Sequence, residues 1–423
     1  MPVVNPYSTG GLVKDPAMFF GRKEELKRIR ERLRKGDCTS VVGLRRVGKS
    51  SLLYQLAHQT DELPEGIVAI YLDLQDAVHH QPLGLLNSAL KRLNERLNDR
   101  YDLPPPKSMS LGAFSTAVKQ IAADDFRPAL CLDEVEELTD RDAFDDDFFE
   151  ALRSLGNQRL LAYVTASGES LDVLIEQGGR SSEFYNLFAN LDLAGLNDAA
   201  ARALLTEPFR TAGFSPPPDD HVDYVLELAG RHPFYLQMAA YHLFEARKKG
   251  GALNRRALYE DFVREARPHF RNLWKRLSTD EQSGVKKLAG ATAAVRDWDR
   301  TKPDLIRCGL AEGDAVSPRL FSRVFGEMVK SGGIERKRAP RPRRPRKHQL
   351  KGESPTPTIY KYALVALASA VVALFIALLL PRDRFWPFLV ALTVVLTFIL
   401  VLADRLSGEQ FLGWLSKLLG KQG

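Results

Sequence analysis

Residues 43–50, Gly43-Leu44-Arg45-Arg46-Val47-Gly48-Lys49-Ser50, set two glycines, a lysine and a hydroxyl at the spacing G-x-x-x-x-G-K-[ST]. This spacing makes a phosphate cradle. Glycines let the backbone turn its N–H groups inward, and a helix starting at Lys49 adds the positive end of its dipole. Lys49 is then placed to reach the β- and γ-phosphates of a nucleotide, and the Ser50 hydroxyl to help hold Mg²⁺. The expected nucleotide contacts here are Gly43, Arg46, Val47, Gly48, Lys49, Ser50 and Ser51. Further along, Ala129-Leu130-Cys131-Leu132 runs into Asp133-Glu134. Four apolar residues ending in two acids describe a buried strand with carboxylates at its C-terminal tip, where open parallel sheets bind ligands. Asp133 is expected to hold Mg²⁺ through water and Glu134 to polarise an attacking water. The chemistry these residues point to is hydrolysis of a nucleoside triphosphate, with Mg²⁺ as cofactor.

Such groups need a sheet and helices to place them. Thr39-Ser40-Val41-Val42 is a β-prone run before the cradle, and Leu52 to Ala57 is helical in period after it. Ile67-Val68-Ala69-Ile70-Tyr71-Leu72-Asp73-Leu74 is a β-branched apolar run that predicts a buried parallel strand. Helices are expected over Leu83–Leu97, with Leu85, Leu86, Leu90 and Leu93 on one face, and over Leu111–Ala123. Pro104-Pro105-Pro106 marks a loop between them. Leu160 to Gly168 predicts another central strand ending in polar residues, and Leu191-Asp192-Leu193 the last strand. A helical lid then begins at Asn197, interrupted by Pro216-Pro217-Pro218 and resumed over Val222–Leu228. Asp145-Asp146-Asp147 reads as a solvated helix start rather than a metal site, because acids favour a first helical turn. Ser278-Thr279-Asp280-Glu281 is a capping box, and Leu310 to Phe321, turning at Glu312-Gly313-Asp314, reads as a small hairpin.

At 423 residues the chain has room for two or three domains. Its charge is unevenly spread. After residue 335, fifteen Lys and Arg face four Asp and Glu, so of the formal +7 the tail carries +11 and residues 1–335 carry −4. A mildly acidic body excludes a surface built to coat nucleic acid. Cys38, Cys131 and Cys308 lie far apart with no metal-ligand spacing and read as reduced thiols. No charged segment leading into an apolar run opens the sequence, so a secretory signal is not expected.

Three stretches carry a resemblance. Phe19-Phe20-Gly21-Arg22-Lys23-Glu24-Glu25-Leu26 precedes the cradle, Leu44-Arg45-Arg46-Val47 forms its interior, and Gly230-Arg231-His232-Pro233 follows the lid helices. Together they resemble the AAA-related STAND class of signal-transduction ATPases, including the archaeal-type group, over about residues 17–330. The strand between cradle and acids fits the additional-strand ATPases of that class. The resemblance implies that the nucleotide is ATP, that Gly21 and Arg22 border an adenine pocket and that His232 and Pro233 lie against the nucleotide. It also implies that Thr165 or Ser167, on a sensor strand, reaches the γ-phosphate or the water; a plain Ser/Gly turn is the other reading of that stretch. Arg180 after Gly178-Gly179 reads as a mobile loop or as a finger for a neighbouring subunit. Lys23 stands where the family pattern has Glu, and Arg231 where small residues are common. Helices followed by a hairpin after the lid suggest a winged helix. Arg296, Arg300 and Arg307 could face DNA there, but Asp297, Asp299 and Asp304 dilute them and favour packing or partner contact. Thr301-Lys302-Pro303-Asp304 mimics a guanine reader but lies far past the cradle.

Arg336 to Lys351 holds nine Lys and Arg interleaved with prolines and cannot form a core. Tyr362–Leu380 and Phe385–Ala403 then give nineteen residues each without a formal charge, joined by Pro381-Arg382-Asp383-Arg384. At ~1.5 Å per residue each spans roughly 28 Å, close to a bilayer core. So short a connection requires an antiparallel hairpin, and the basic linker puts both termini in the cytoplasm. Phe411, Trp414, Leu415 and Leu418 share an interfacial helical face. The expected fold is therefore α/β: a P-loop NTPase parallel sheet with helical lid, a winged-helix-like module, then two transmembrane helices. Its segments are a lead-in (1–18), ATPase core (19–195), lid (196–250), winged-helix-like domain (251–333), basic linker (334–358), transmembrane hairpin (359–405) and interfacial helix (406–423). The expected function is a slow, membrane-anchored ATPase switch controlling oligomerisation or partner recruitment at the inner membrane. A membrane-tethered DNA-binding regulator and a non-hydrolysing ATP scaffold are the alternatives.

Overall fold

The computed structural model describes residues 3–179, 182–250, 253–314 and 316–335. Arg180, the basic linker, both apolar stretches and the interfacial segment lie outside the described residues. Among the described residues no helix is long and apolar enough to cross a membrane.

Five apolar runs form one parallel sheet: β1 (Cys38–Val42), β2 (Ile67–Asp73), β3 (Arg127–Asp133), β4 (Ala162–Ser167) and β5 (Phe188–Asp192), in the order β2-β3-β4-β1-β5. Both faces are covered, which is why the inner strands read as continuous apolar runs rather than alternating ones. Helices α1 (Lys23–Lys35) and α2 (Lys49–His58) pack one face through Leu26, Ile29, Leu33, Leu52, Leu53 and Leu56. On the other face lie α3 (Pro82–Arg96), α4 (Leu111–Ala123), the short α5 (Glu136–Thr139), α6 (Asp146–Asn157) and α7 (Leu171–Gln177), around Leu90, Phe114, Phe148 and Tyr163. Asp145 caps α6 by accepting the Phe148 N–H at 3.0 Å, so this acidic run starts a helix. No group of three or more metal-ligating side chains forms among the described residues.

Beyond the sheet come α8 (Asp198–Thr211), α9 (Asp219–Ala229) and α10 (Pro233–Lys248), then α11 (Arg255–Arg276), α12 (Thr279–Leu288) and α13 (Trp298–Arg307). Strands β6 (Ala311–Glu312) and β7 (Arg319–Leu320) pair antiparallel, and α14 (Arg323–Lys330) closes the described chain. The capping box forms: Ser278 and Glu281 each accept the other's backbone N–H. The guanine-reader look-alike lies inside α13. Among the described residues the longest helix, α11, has no counterpart in the sequence reading, although Leu258, Phe262, Ala266, Phe270 and Trp274 recur every four residues; Pro268 interrupts its pattern. Lid and following module share one hydrophobic cluster that runs from Leu204 and Phe209 through Leu236 and Phe244 to Phe270 and Phe325.

Gly230 ends α9 where lid and module touch. Its φ of 70° and ψ of −165° are open to glycine alone. A Cβ there would sit 1.8 Å from the Phe321 carbonyl oxygen. Gly230→Ala should therefore lower the unfolding free energy by at least about 2 kcal/mol. Denaturant unfolding followed by tryptophan fluorescence reads this directly, since Trp274 and Trp298 lie in or against the affected cluster.

Candidate functional site

The sheet order sets β4 between the two chemical loops. The Gly43 N–H donates to the Ser167 carbonyl at 3.3 Å, and the Val135 N–H donates to the Ala166 carbonyl at 3.1 Å. The loop after β1 and the acids after β3 are thus both hydrogen-bonded to the exit of β4. Between them and the lid opens a cavity of about 870 Å³. Its wall includes Arg45, Arg46, Gly48, Lys49, Ser50 and Ser51 from the loop, Asp133 and Glu134 from β3, and Pro233, Phe234 and Gln237 from α10.

The loop conforms to a cradle for local reasons. Gly48 caps α2 with a φ of 105°, a left-handed value that costs glycine little. A Cβ on Gly43 would meet the Leu193 carbonyl at 2.5 Å, so the loop approaches the β5 exit as only glycine allows. Lys49 is buried, and its Nζ donates to the carbonyls of Gly43 at 2.9 Å and Leu44 at 3.2 Å. Burial lowers its pKa, while the charges of Glu134, Glu136 and Asp133 oppose that shift. Asp133 is buried at the β3 tip and accepts the Tyr71 hydroxyl at 2.7 Å. Burial raises its pKa against the pull of hydrogen bonds from Tyr71 and Ser50. Ser50 and Asp133 therefore adjoin, which is the donor set a hydrated divalent cation takes. Glu134 turns the chain with a left-handed φ of 55°.

The structure brings some expected residues together and sets others behind the wall. Gly21 and Arg22 do not line the cavity. Gly21 abuts Ala200 of α8, and the buried Arg22 guanidinium donates to the carbonyls of Val47 at 3.1 Å and Ala194 at 2.6 Å. His232 is buried beneath the loop with its Nδ1 lacking a hydrogen-bond partner, while Pro233 reaches the wall. Thr165 is sealed within β4 between Ser40 and Leu132, and the Ser167 hydroxyl donates to the Glu169 carbonyl at 2.6 Å. Neither lines the cavity. Val47 is buried in the core, and Ser51 accepts the Val13 N–H at 3.0 Å. Arg46 stays on the cavity wall but its guanidinium reaches the lid side, 4.2 Å from the centre of the Phe234 ring and 3.1 Å from His269 Nδ1 of α11. Arg307, which does not line the cavity, pairs with Asp304 at 3.0 Å and Asp192 at 3.6 Å.

A family model describing the Novel STAND NTPase 2 proteins matches residues 37–295. The chain belongs to that family. Among solved structures this STAND NTPase is similar to a Walker-type ATPase of Pyrococcus abyssi, at 14% identity and a TM-score of 0.53, over 75% of this chain and 98% of the other. The ORC2 protein of Aeropyrum pernix is similar at 13% identity and a TM-score of 0.47, over 77% and 100% of the two chains. A search of curated proteins finds no match. At 14% identity the likeness to the Pyrococcus abyssi protein shows the fold alone, a P-loop NTPase α/β sheet.

The cavity of the STAND NTPase is bounded in part by residues that the sequence reading passed over. Ser8 to Lys14 line the cavity, although the lead-in reads as irregular. Tyr7 anchors it, buried against Phe209 and Phe244 with its hydroxyl on the carbonyls of Leu204 and Leu205 at 3.0 and 3.2 Å. Gln55 donates to the carbonyls of Val13 and Lys14, each at 3.0 Å. A tyrosine just ahead of a Gly10-Gly11 pair was the available signal. Arg45 and Glu136 are the other additions, the first on the wall and the second behind Glu134.

Burial, and next the Arg22 charge, lower the His232 pKa to about 3. The unfolded chain takes up this proton near pH 6.5, the folded chain only near 3. His232 thus adds stability above pH 6.5 that is lost as pH falls through the interval. Urea unfolding at pH 7 and pH 5 should show a loss of about 2 kcal/mol from this residue, absent in His232→Gln.

Proposed function

We propose that this STAND NTPase binds ATP in the cavity, hydrolyses it slowly, and uses bound nucleotide to set the arrangement of its lid and following module. The observation that carries this is the convergence of Lys49, Ser50, Asp133 and Glu134 on one cavity whose far wall is the lid. Lys49 exchanges the Gly43 and Leu44 carbonyls for phosphate oxygens, and the cradle N–H groups hold the chain of phosphates. Ser50 and Asp133 are the residues that hold Mg²⁺, which neutralises charge on the β- and γ-phosphates when bound. Glu134 accepts a proton from the water that adds to the γ-phosphorus, and ADP leaves with the bridging oxygen. Arg45, on the wall beside Lys49, supplies a further cation toward the phosphates.

The lid can report the nucleotide. Pro233, Phe234 and Gln237 line the cavity, and Arg46 of the cradle docks on Phe234 and His269. Phosphate drawn into the cradle competes for that arginine, so loading biases α11 and the module beyond. The order helix, helix, hairpin in that module suits a winged helix working as an interaction domain. The paired state of Arg307 favours protein contact over DNA. The two apolar stretches of the tail, with their basic flank, support an inner-membrane anchor with both termini in the cytoplasm. The output of the switch is oligomerisation or partner recruitment at that surface.

Titration of the full chain with ATP should give saturable binding that Lys49→Ala weakens at least about 100-fold, an expectation for a lost charge-assisted phosphate contact. Glu134→Gln should bind ATP as wild type does and release phosphate at least about 100-fold more slowly. Equal phosphate release by wild type and Glu134→Gln removes the enzyme reading and leaves a scaffold. For the anchor, a chain stopped after Glu335 should move from the membrane pellet to the supernatant, while the full chain pellets; equal partition of the two rejects it.

A further inference from the structure

With Thr165 sealed in the sheet and Ser167 committed to Glu169, the contact between the β3 and β4 tips has another carrier. Glu136, the first residue of α5, accepts the Gly168 N–H through Oε1 at 2.5 Å. Gly168 directly follows β4. The other oxygen, Oε2, is buried and has no hydrogen-bond partner. A buried carboxylate oxygen without a donor costs stability. Burial also raises the Glu136 pKa, the mark of a charge held where the fold does not favour it. The charge of buried Lys49 offsets part of that cost, and the oxygen without a donor leaves the rest unexplained by stability.

Its neighbour supplies the reason. Glu134 sits in the left-handed region at φ 55°, a strained conformation for a residue with a side chain. Such strain persists only where surrounding bonds over-determine the backbone. Besides the Glu137 N–H to Glu134 carbonyl bond at 3.0 Å inside the turn, those bonds are the Glu134 N–H to Asp133 Oδ1 at 3.2 Å, the Val135 N–H to the Ala166 carbonyl at 3.1 Å, and the Gly168 N–H to the Glu136 carboxylate. The first of these three also lies within the turn. The other two fasten it to β4, and Glu136 is the side chain among them.

We propose that Glu136 is a positioning residue for hydrolysis: by clamping the β4 exit it holds Glu134 in its strained turn, and so aims the Glu134 carboxylate at the attacking water. This rests on the hydrolytic reading of the site. Without the clamp Glu134 relaxes toward an ordinary backbone conformation, and its carboxylate moves away from the water. Nucleotide affinity, which comes mainly from the cradle N–H groups, changes far less than the rate, although the Glu136 charge also faces Lys49.

The test compares full-length wild type, Glu136→Ala and Glu136→Gln for ATP affinity, phosphate release and melting temperature. Glu136→Ala should lose about 100-fold in kcat, the scale for a misplaced catalytic group. Its ATP Kd should stay within about twofold of wild type and its melting temperature should not fall, because strain and a buried charge leave together. Glu136→Gln keeps an oxygen for the Gly168 N–H and should recover most of the lost rate. A wild-type kcat in Glu136→Ala overturns the proposal, as does a parallel fall in affinity and melting temperature, which marks plain structural support. Failure of Gln to rescue overturns the clamp. A wild type that binds ATP but releases no phosphate overturns the hydrolytic reading first, and this proposal with it; that result is distinct from a hydrolysing wild type matched by Glu136→Ala.

Discussion

Two backbone hydrogen bonds to the end of one strand hold the chemistry in place. Gly43 and Val135 come from loops far apart in the chain, and both donate to β4, at Ser167 and Ala166. Parallel pairing makes this possible: β1 and β3 flank β4 in register, so their exits reach one edge of the sheet together. A displacement of β4 by one residue would part the cradle from its acids. The sealed, fully buried interior of β4 follows from that duty, since a strand that sets register on both sides tolerates little movement.

Several residues that look like ligand contacts serve as struts. The cradle must stay open with its N–H groups inward, and its outward carbonyls then need donors. Arg22 satisfies Val47 and also joins it to Ala194 after β5. Lys49 holds the Gly43 and Leu44 carbonyls as well, while remaining on the cavity wall. A buried guanidinium is well suited to a strut, as it offers several donors in a fixed plane. Residues next to a phosphate site are thus as readily its scaffold as its ligands.

The lid is fastened from an unexpected side. The first described residues run from α10 across α8 to α2, held by Tyr7 at one end and by Ser51 and Gln55 at the other. The lid and the helices after it are built on one cluster of aromatic residues, with Tyr235, Phe270 and Phe321 ring against ring. Lid and module are thus joined by one continuous packed core rather than by a loose hinge.

The amino-acid sequence by itself determined the local pieces: the glycine-flanked cradle, the apolar strand ending in two acids, the order of strands and helices in the core, the capping box at Ser278 and the acidic start of α6. Each is written in neighbouring residues, where spacing and backbone preference suffice. The tertiary structure decided what depends on distant partners. It turned Arg22, His232, Thr165 and Ser167 away from the cavity, sent Arg46 to Phe234 and His269, brought Ser8 to Lys14 onto the wall and made a long helix of Arg255–Arg276 around an internal proline. No local pattern encodes which carbonyl lacks a donor or which face lacks a cover. Those needs arise only once the sheet has closed, and they fix the roles of the side chains within reach.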